Sequence, residues 1–285
     1  MFGSLKGFPR AMTLAAATIM FTYPTTGISQ PDQQVASGTS RSLHYADVVD
    51  LFDKAPIAVR ARITSATRLK EIVRPTGISR FYVEADVIAL IRGPNDVPPH
   101  LSYVVDVPLD SRGKVPKLKK TDVLIAALPV PGRPGEIQLA ASDAQINWTP
   151  ELDAKVRSAI ASVMAPGAAP VVTGVGSAFH VAGSIPGEGE TQVFLTTATG
   201  APVSLSILRR PGEAPRWALA LGEIVDEAAG PPARDTLAWY RLACFLPRTL
   251  PNAAVTELTA SDANMARDDY AFVIAQLGTC ERARS

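Results

Sequence analysis

The stretch FYVEADVIALI, residues 81–91, decides the fold class of this chain. Its even-numbered face is polar as far as Asp86 and apolar at Ile88 and Leu90. We therefore expect one long strand, ended by Gly93-Pro94, with a wet face that becomes buried toward its end, as in a strand that bends through a small barrel. Its odd-numbered face is apolar throughout: Phe81, Val83, Ala85, Val87, Ala89 and Ile91.

Four further runs in the first half have the composition of strands, and Pro/Gly-rich turns separate them. They cover residues 57–63, 101–107, 123–128 and 137–140. A short amphipathic helix precedes them at 45–53. A second helix follows from Thr149, which suits an N-cap, and Pro150, which suits the first turn. The pattern predicts a five-stranded OB-like β-barrel domain with flanking helices over residues 43–165.

Residues 165–170, Ala-Pro-Gly-Ala-Ala-Pro, form the predicted domain boundary. Beyond it the pattern predicts a second domain over residues 171–285, an antiparallel β-meander closed by two C-terminal helices, so the fold class is mainly β with α (α+β). The first helix is expected at 233–246, and the second ends at Gly278. The predicted strands are 174–184, 191–197, 203–208 and 217–221. The second helix has a clear apolar face: Tyr270, Val273, Ile274 and Leu277.

The N-terminus has the pattern of a signal peptide over residues 1–29. Lys6 and Arg10 precede an apolar stretch at 11–23, which is too short to span a membrane. Small residues before Gln30 suit a cleavage site, and an uncleaved anchor is the alternative. A disordered lead-in is expected at 30–42, and no later stretch predicts a transmembrane span. These features predict a periplasmic or secreted protein.

The two cysteines, Cys244 and Cys280, suit an oxidising compartment. They lie too far apart for CxxC redox or zinc spacing. A disulfide closing this loop would stabilise the fold by roughly 3–4 kcal/mol in the chain-entropy model. The alternative is a pair of free buried thiols.

The composition is typical of a folded protein, and the chain carries almost no net charge. The chain is 47% hydrophobic and 19% charged, with a net charge of +1, so neither disorder nor a nucleic-acid partner is expected. One local cluster of cations stands out, and it lacks neighbouring aromatic residues. It is interpreted either as a solvated hairpin or as a site for an acidic partner, such as a polysaccharide, a lipid head group or an envelope protein. Its members are Arg112, Lys114, Lys117, Lys119 and Lys120.

Two candidate catalytic sites lie in the second half. Ser177 and His180 follow a glycine-rich segment, yet residues three apart on a strand point to opposite faces, so a β-bulge is the alternative. Glu188 and Glu190 offer a carboxylate pair of the kind glycosidases use, and solvated surface charges are the alternative.

Neither a metal nor a cofactor is expected. The three histidines, His44, His100 and His180, lack metal-ligand spacing. The glycines at 174–176 lead into a strand rather than a helix, which argues against a nucleotide site.

The segments 58–65 (AVRARITS) and 81–87 (FYVEADV) resemble the opening strands of OB-type barrels of the netrin/tissue-inhibitor-of-metalloprotease kind. The resemblance implies a five-stranded barrel with flanking helices and the activity of a protease inhibitor. That family inhibits through a cysteine at its mature N-terminus, and this chain has none before Cys244, so the inhibitory residues do not carry over. The whole chain also resembles exported proteins of sphingomonad-like bacteria, which implies that it is exported but does not imply any activity.

Three functions follow as hypotheses. The absence of a recognisable catalytic motif favours an exported non-catalytic binding or scaffolding protein. The second is an exported hydrolase with a site around Ser177 and His180 or Glu188 and Glu190. The third is a protease-inhibitor-like module.

Overall fold

The computed structural model describes residues 43–70, 77–222 and 230–284. Within them the chain is mostly β with four α-helices and two antiparallel sheets. The period-two interpretation of 81–91 is confirmed, as is the mainly β, α+β fold class. The predicted signal peptide at 1–29 and lead-in at 30–42 lie outside the described residues.

The first half forms a six-stranded sheet in the order β3-β2-β1-β4-β5, with β6 also pairing with β4. The five predicted strands are all present, and the predicted N-cap Thr149 accepts a hydrogen bond from the backbone N–H of Leu152. The strand β6 was not predicted. The elements are α1 (Tyr45–Phe52), β1 (Ile57–Arg68), β2 (Ile78–Arg92), β3 (His100–Pro108), β4 (Asp122–Pro129), β5 (Ile137–Leu139), β6 (Gln145–Asn147) and α2 (Pro150–Met164).

The first sheet does not close into a barrel, so the predicted five-stranded OB-like barrel is not confirmed. Its end strands β3 and β5 meet only at an isolated parallel bridge between Ser102 and Glu136. One backbone hydrogen bond supports this contact, from the N–H of Ser102 to the carbonyl of Gly135 at 2.8 Å. Because β5 has only three residues, it is too short to continue a ladder along β3.

The end of β2 corrects a second expectation. Ile88 and Leu90 are 44% and 38% exposed, so this part of the strand is not buried on both faces. The even-numbered face of β2 is the uncovered face of the sheet, since Tyr82, Glu84 and Asp86 are exposed as well, although β3 pairs with β2 at those residues. Beyond Asp86, β2 has a hydrogen-bonded strand on one side only, and its even-numbered face remains in solvent.

The second half forms a four-stranded meander in the order β10-β9-β8-β7, as predicted. The first C-terminal helix is shorter than the expected 233–246, because Thr236 caps it by accepting a hydrogen bond from the N–H of Trp239. The second ends at Gly278, whose φ of +72° suits glycine. The elements are β7 (Val172–Ala182), β8 (Gly189–Thr197), β9 (Val203–Arg209), β10 (Arg216–Ala220), α3 (Leu237–Ala243) and α4 (Ala260–Leu277).

Two clusters of buried apolar side chains stabilise the described chain. The smaller lies on one face of the first sheet and includes Val59, Val83 and Ile125. The larger includes Phe52 of α1 and Tyr270 of α4 and extends through both sheets and all four helices. Side chains of both predicted domains contribute to this larger core, and the boundary at 165–170 stays a prediction.

The segment after α4, residues 278–284, is held by one covalent and several polar contacts. The predicted disulfide between Cys244 and Cys280 is present, so it joins the end of α3 to the residues just after α4. Beyond it, the buried carboxylate of Asp47 accepts hydrogen bonds from the backbone N–H groups of Ala283 and Arg284. These contacts bind the chain end to α1.

Candidate functional site

The basic cluster lies on the connection between β3 and β4, residues 109–121, which we call the basic loop. Its first half is a tight turn organised by Asp110. One carboxylate oxygen of Asp110 accepts hydrogen bonds from the backbone N–H groups of Arg112 at 2.9 Å and Lys114 at 2.8 Å. Gly113 adopts a φ of +72°, which the turn requires. The acidic group of the loop is therefore used to hold its backbone.

The second half of the basic loop is attached to the sheet. Val115 and Leu118 are partly buried against the smaller core. The backbone N–H of Lys120 donates to the carbonyl of Ile63 at 2.8 Å, and the N–H of Ile63 donates to Thr121 at 3.0 Å. The loop is thus held at both ends by backbone hydrogen bonds and in the middle by apolar packing, which fixes where its side chains emerge.

All five predicted binding residues of the basic loop are exposed. Among the residues that the structure describes, none of their side chains has an ion pair or a hydrogen bond to a carboxylate. The structure therefore places on one loop all the cations that the sequence grouped. They are Arg112, Lys114, Lys117, Lys119 and Lys120.

Two arginines of β1, close to the basic loop, differ from the cations of the loop because a carboxylate neutralises them. Arg60 and Arg62 both donate to the carboxylate of Asp122, at 2.7 and 2.6 Å. The hydrogen bond from Arg62 is the main cause that lowers the pKa of Asp122 below its usual value. The guanidinium of Arg60 also lies 3.7 Å from the ring centre of Trp148. These arginines connect β1 to β4, whereas the cations of the basic loop have no such partner in the part of the chain that the structure describes.

Ser177 and His180 lie on opposite faces of β7. Ser177 is paired with the exposed Phe194, and His180 with the buried Thr191. Residues directly opposite on antiparallel strands share a face, so the hydroxyl and the imidazole are separated by the sheet. The ladder is irregular between Val175 and Ser177, which is the β-bulge that the sequence offered as the alternative. The structure does not bring this pair together.

His180 belongs instead to a polar network that joins the second sheet to α4. Its Nδ1 lies 2.9 Å from the hydroxyl of Thr191, which donates to the buried carboxylate of Asp269 at 2.5 Å. Arg209 donates to the other oxygen of Asp269 at 2.5 Å. Since the threonine proton goes to Asp269, the Thr191 oxygen accepts from His180. The imidazole packs against Gly189, where an added Cβ would lie 2.7 Å from the ring.

Glu188 and Glu190 lie on either side of Gly189, the first residue of β8, and each has its own contact. The side chain of Glu188 lies against Gly183, where a Cβ would collide with it. Glu190 is exposed on β8 and accepts a hydrogen bond from Gln192 at 3.1 Å. These are contacts of a turn and of a solvated strand face.

Metal ligands are not gathered within the described ranges 43–70, 77–222 and 230–284. No group of three or more His, Cys, Asp or Glu side chains there is placed to hold a metal ion. His44 lies 3.7 Å from Glu281, His100 lies 2.6 Å from Asp86, and His180 belongs to the network of Asp269.

A cleft on the outer face of β2 and β3 was not predicted as a site. Glu84, Asp86, His100 and Ser102 line it. The sequence did show that Glu84 and Asp86 share the polar face of β2, and β3 has the same alternation. What the sequence lacked was the strand register that sets His100 opposite Asp86.

Comparisons with known proteins do not assign this site. No family model matches the chain, and a search of curated proteins finds no match.

Proposed function

We propose that this chain is an exported, non-catalytic binding or scaffolding protein whose basic loop binds an anionic ligand. The observation that carries this proposal is the basic loop itself. Its backbone is held by Asp110 and by Ile63, while five cationic side chains extend from it without carboxylate partners among the described residues. Cations of this kind attract an anionic ligand and need little further ordering of the backbone to bind it.

The compartment is proposed from the disulfide. A Cys244–Cys280 bridge is typical of secreted and periplasmic proteins. In the part of the chain that the structure describes, no helix is long and apolar enough to cross a membrane. Anionic ligands in such a compartment include acidic polysaccharides, lipid head groups and acidic surfaces of envelope proteins, which present carboxylate or phosphate groups to the same cations.

The other two hypotheses receive less support from the geometry. Ser177 and His180 lie on opposite faces of β7, which does not support a serine hydrolase, and the carboxylate pair Glu188 and Glu190 stays a prediction. The protease-inhibitor hypothesis stays a prediction, and incubation of the protein with a panel of proteases tests it directly.

The test compares a loop variant with a matched control in the full chain. The loop variant is Lys114→Gln, Lys117→Gln, Lys119→Gln. The control is Lys54→Gln, Arg210→Gln, Arg216→Gln, which removes three exposed cations elsewhere. Binding is measured to vesicles with and without phosphatidylglycerol, to alginate and to polyglutamate, so that the lipid, polysaccharide and protein sources are distinguished.

We expect the unaltered protein and the control to bind at least one of the anionic ligands, and not the neutral vesicles. The loop variant should bind about tenfold more weakly, because each tenfold corresponds to about 1.4 kcal/mol and three charge-assisted contacts are removed. Equal binding by the loop variant and the control, or no binding to any anionic ligand, would overturn the proposal.

A further inference from the structure

The outer face of β2 and β3 carries three directly opposed pairs of side chains in an ordered series. Tyr82 is opposite Val104, then Glu84 is opposite Ser102, then Asp86 is opposite His100. All six point to the same face, since opposed residues of antiparallel strands share a face and residues two apart on a strand do so as well. The series runs from an apolar end to a charged end.

The turn between β4 and β5 lies beside this face and makes it concave. Pro134 and Gly135 form the wall of a cavity of about 330 Å³ whose floor includes Glu84, Asp86 and Ser102. A second cavity of about 240 Å³ continues from it, since Tyr82 and Ser102 line both. Gly135 allows the wall to approach closely, because its φ is +86° and a Cβ there would lie 3.1 Å from the carbonyl of His100.

The charges that line the two cavities are carboxylates and one imidazole. Glu84 has no hydrogen bond or ion pair from its carboxylate within the described residues. Asp86 has a contact of 2.6 Å with His100 Nδ1, and Glu136 is bound by Arg133 at 3.1 Å. Among the described residues, the lining of both cavities contains neither a lysine nor an arginine. An acceptor-rich concave site of this kind favours a cationic ligand and disfavours an anionic one.

The apolar end of the series restricts the ligand further. Tyr82 and Val104 are both exposed, at 38% and 45%, and they lie next to the carboxylate of Glu84. A ring face and a branched aliphatic side chain suit the methylene stem of a long cationic side chain, and the ring also attracts a cation placed over it. A compact inorganic cation would leave this end of the cleft unused.

We propose that this cleft binds an ammonium group on an aliphatic stem, the chemistry of a lysine side chain. The stem lies along Tyr82 and Val104, and the ammonium lies between the carboxylates of Glu84 and Asp86. These two residues are about 6.6 Å apart along the strand, at about 3.3 Å per residue, so one ammonium donates to both. His100 Nδ1 contacts Oδ1 of Asp86 at 2.6 Å, which leaves Oδ2 of that carboxylate for the ammonium.

This site is separate from the basic loop. The basic loop begins after Pro108, the last residue of β3, and its later part is hydrogen-bonded to Ile63 of β1, which pairs with Ala85 of β2. The cleft and the basic loop share no ligand-binding side chain, so either activity can be tested by variants that leave the other set of side chains unchanged.

The test uses two probes that share a stem and differ in charge. Nα-acetyl-lysine amide carries the ammonium, and its Nε-acetylated form does not. Each is titrated into the full chain while amide shifts of β2 and β3 are followed by NMR. We expect saturating shifts near Glu84, Asp86 and Ser102 with the charged probe, and at least tenfold weaker binding of the neutral probe.

Three variants test whether the charged probe binds in this cleft. Glu84→Gln should weaken binding about tenfold because it removes one charge-assisted contact, and Tyr82→Ala should weaken it by removing the stem contact. Glu213→Gln, an exposed carboxylate in another turn, should leave binding unchanged. Equal binding of both probes, no saturable shift on β2 and β3, or binding of a neutral oligosaccharide alone would overturn the proposal.

Discussion

The basic loop and the network around Asp269 use charge in opposite ways. In the network, Asp269 is fully buried and both of its oxygens accept hydrogen bonds, from Thr191 and Arg209. In the basic loop, the backbone is held and the cationic side chains extend into solvent without carboxylate partners among the described residues. The difference teaches that fixed charges stabilise a fold where they are matched inside it and remain available to a ligand where they are not.

The largest effect on stability is expected from the disulfide, which holds the helix that carries Asp269. The double variant Cys244→Ser, Cys280→Ser should lower the free energy of unfolding by about 3–4 kcal/mol, because the bridge closes a loop of 36 residues. Urea denaturation measures this. Binding of anionic ligands by the basic loop should persist in the folded variant, and its loss would show that the two regions are not independent.

A similar loss is expected at the network itself. Asp269→Ala should lower the free energy of unfolding by about 3 kcal/mol, because it leaves the partly buried Arg209 and the hydroxyl of Thr191 without their acceptor. The matched control is Asp268→Ala, which removes an exposed carboxylate from the adjacent position of the same helix.

Urea denaturation of Asp269→Ala and Asp268→Ala measures the two losses in the free energy of unfolding. A loss below about 1 kcal/mol for Asp269→Ala, or an equal loss for the control, would mean that the network does not stabilise the contact between α4 and the second sheet. The comparison with the basic loop would then fail on its structural side.

A smaller, pH-dependent effect is expected at Asp122. Its pKa is lowered, mainly by the hydrogen bond from Arg62, so its contribution to stability is present above the ordinary value of 3.8. That contribution is lost as the pH falls through the lowered pKa of the folded state. Asp122→Asn should therefore be less stable than the unaltered protein near neutral pH, and the difference should shrink below about pH 4. Denaturation at several pH values measures this, and a difference that grows on acidification would contradict the assignment.

The smallest effect on stability is expected at the basic loop. The variant Lys114→Gln, Lys117→Gln, Lys119→Gln should unfold within about 0.5 kcal/mol of the unaltered protein, as surface substitutions usually do. A clear gain in stability would show that mutual repulsion strains the loop, and a clear loss would show that the cations have a structural partner.

The fold could be predicted where the pattern is local. Alternation from Phe81 to Ile91 identified β2, and the cap at Thr149 identified the start of α2. Barrel closure could not be predicted, because it depends on how far β5 extends along β3. The exposure of Ile88 likewise depends on which face of the sheet the rest of the chain covers, which no local pattern determines.

The candidate sites also differ in whether local sequence could predict them. The cations of the basic loop are neighbours in sequence, so their grouping could be predicted, and the structure adds that they are exposed and have no carboxylate partner within residues 43–70, 77–222 and 230–284. The contact of Asp86 with His100 joins two strands, and its register is set by the core face of the sheet rather than by any motif. Ser177 and His180 are close in sequence, which suggested them as a pair. Side chains alternate between the two faces of β7, so the two residues are separated by the sheet.

The most direct measurement of the central claim is the salt dependence of ligand binding. Affinity of the protein for its strongest anionic ligand is titrated at low and at moderate ionic strength, with the loop variant beside it. We predict that the affinity of the unaltered protein falls steeply as salt screens the exposed cations, and that the loop variant binds weakly with little salt dependence. An identical salt dependence in both proteins would contradict a binding role for the basic loop.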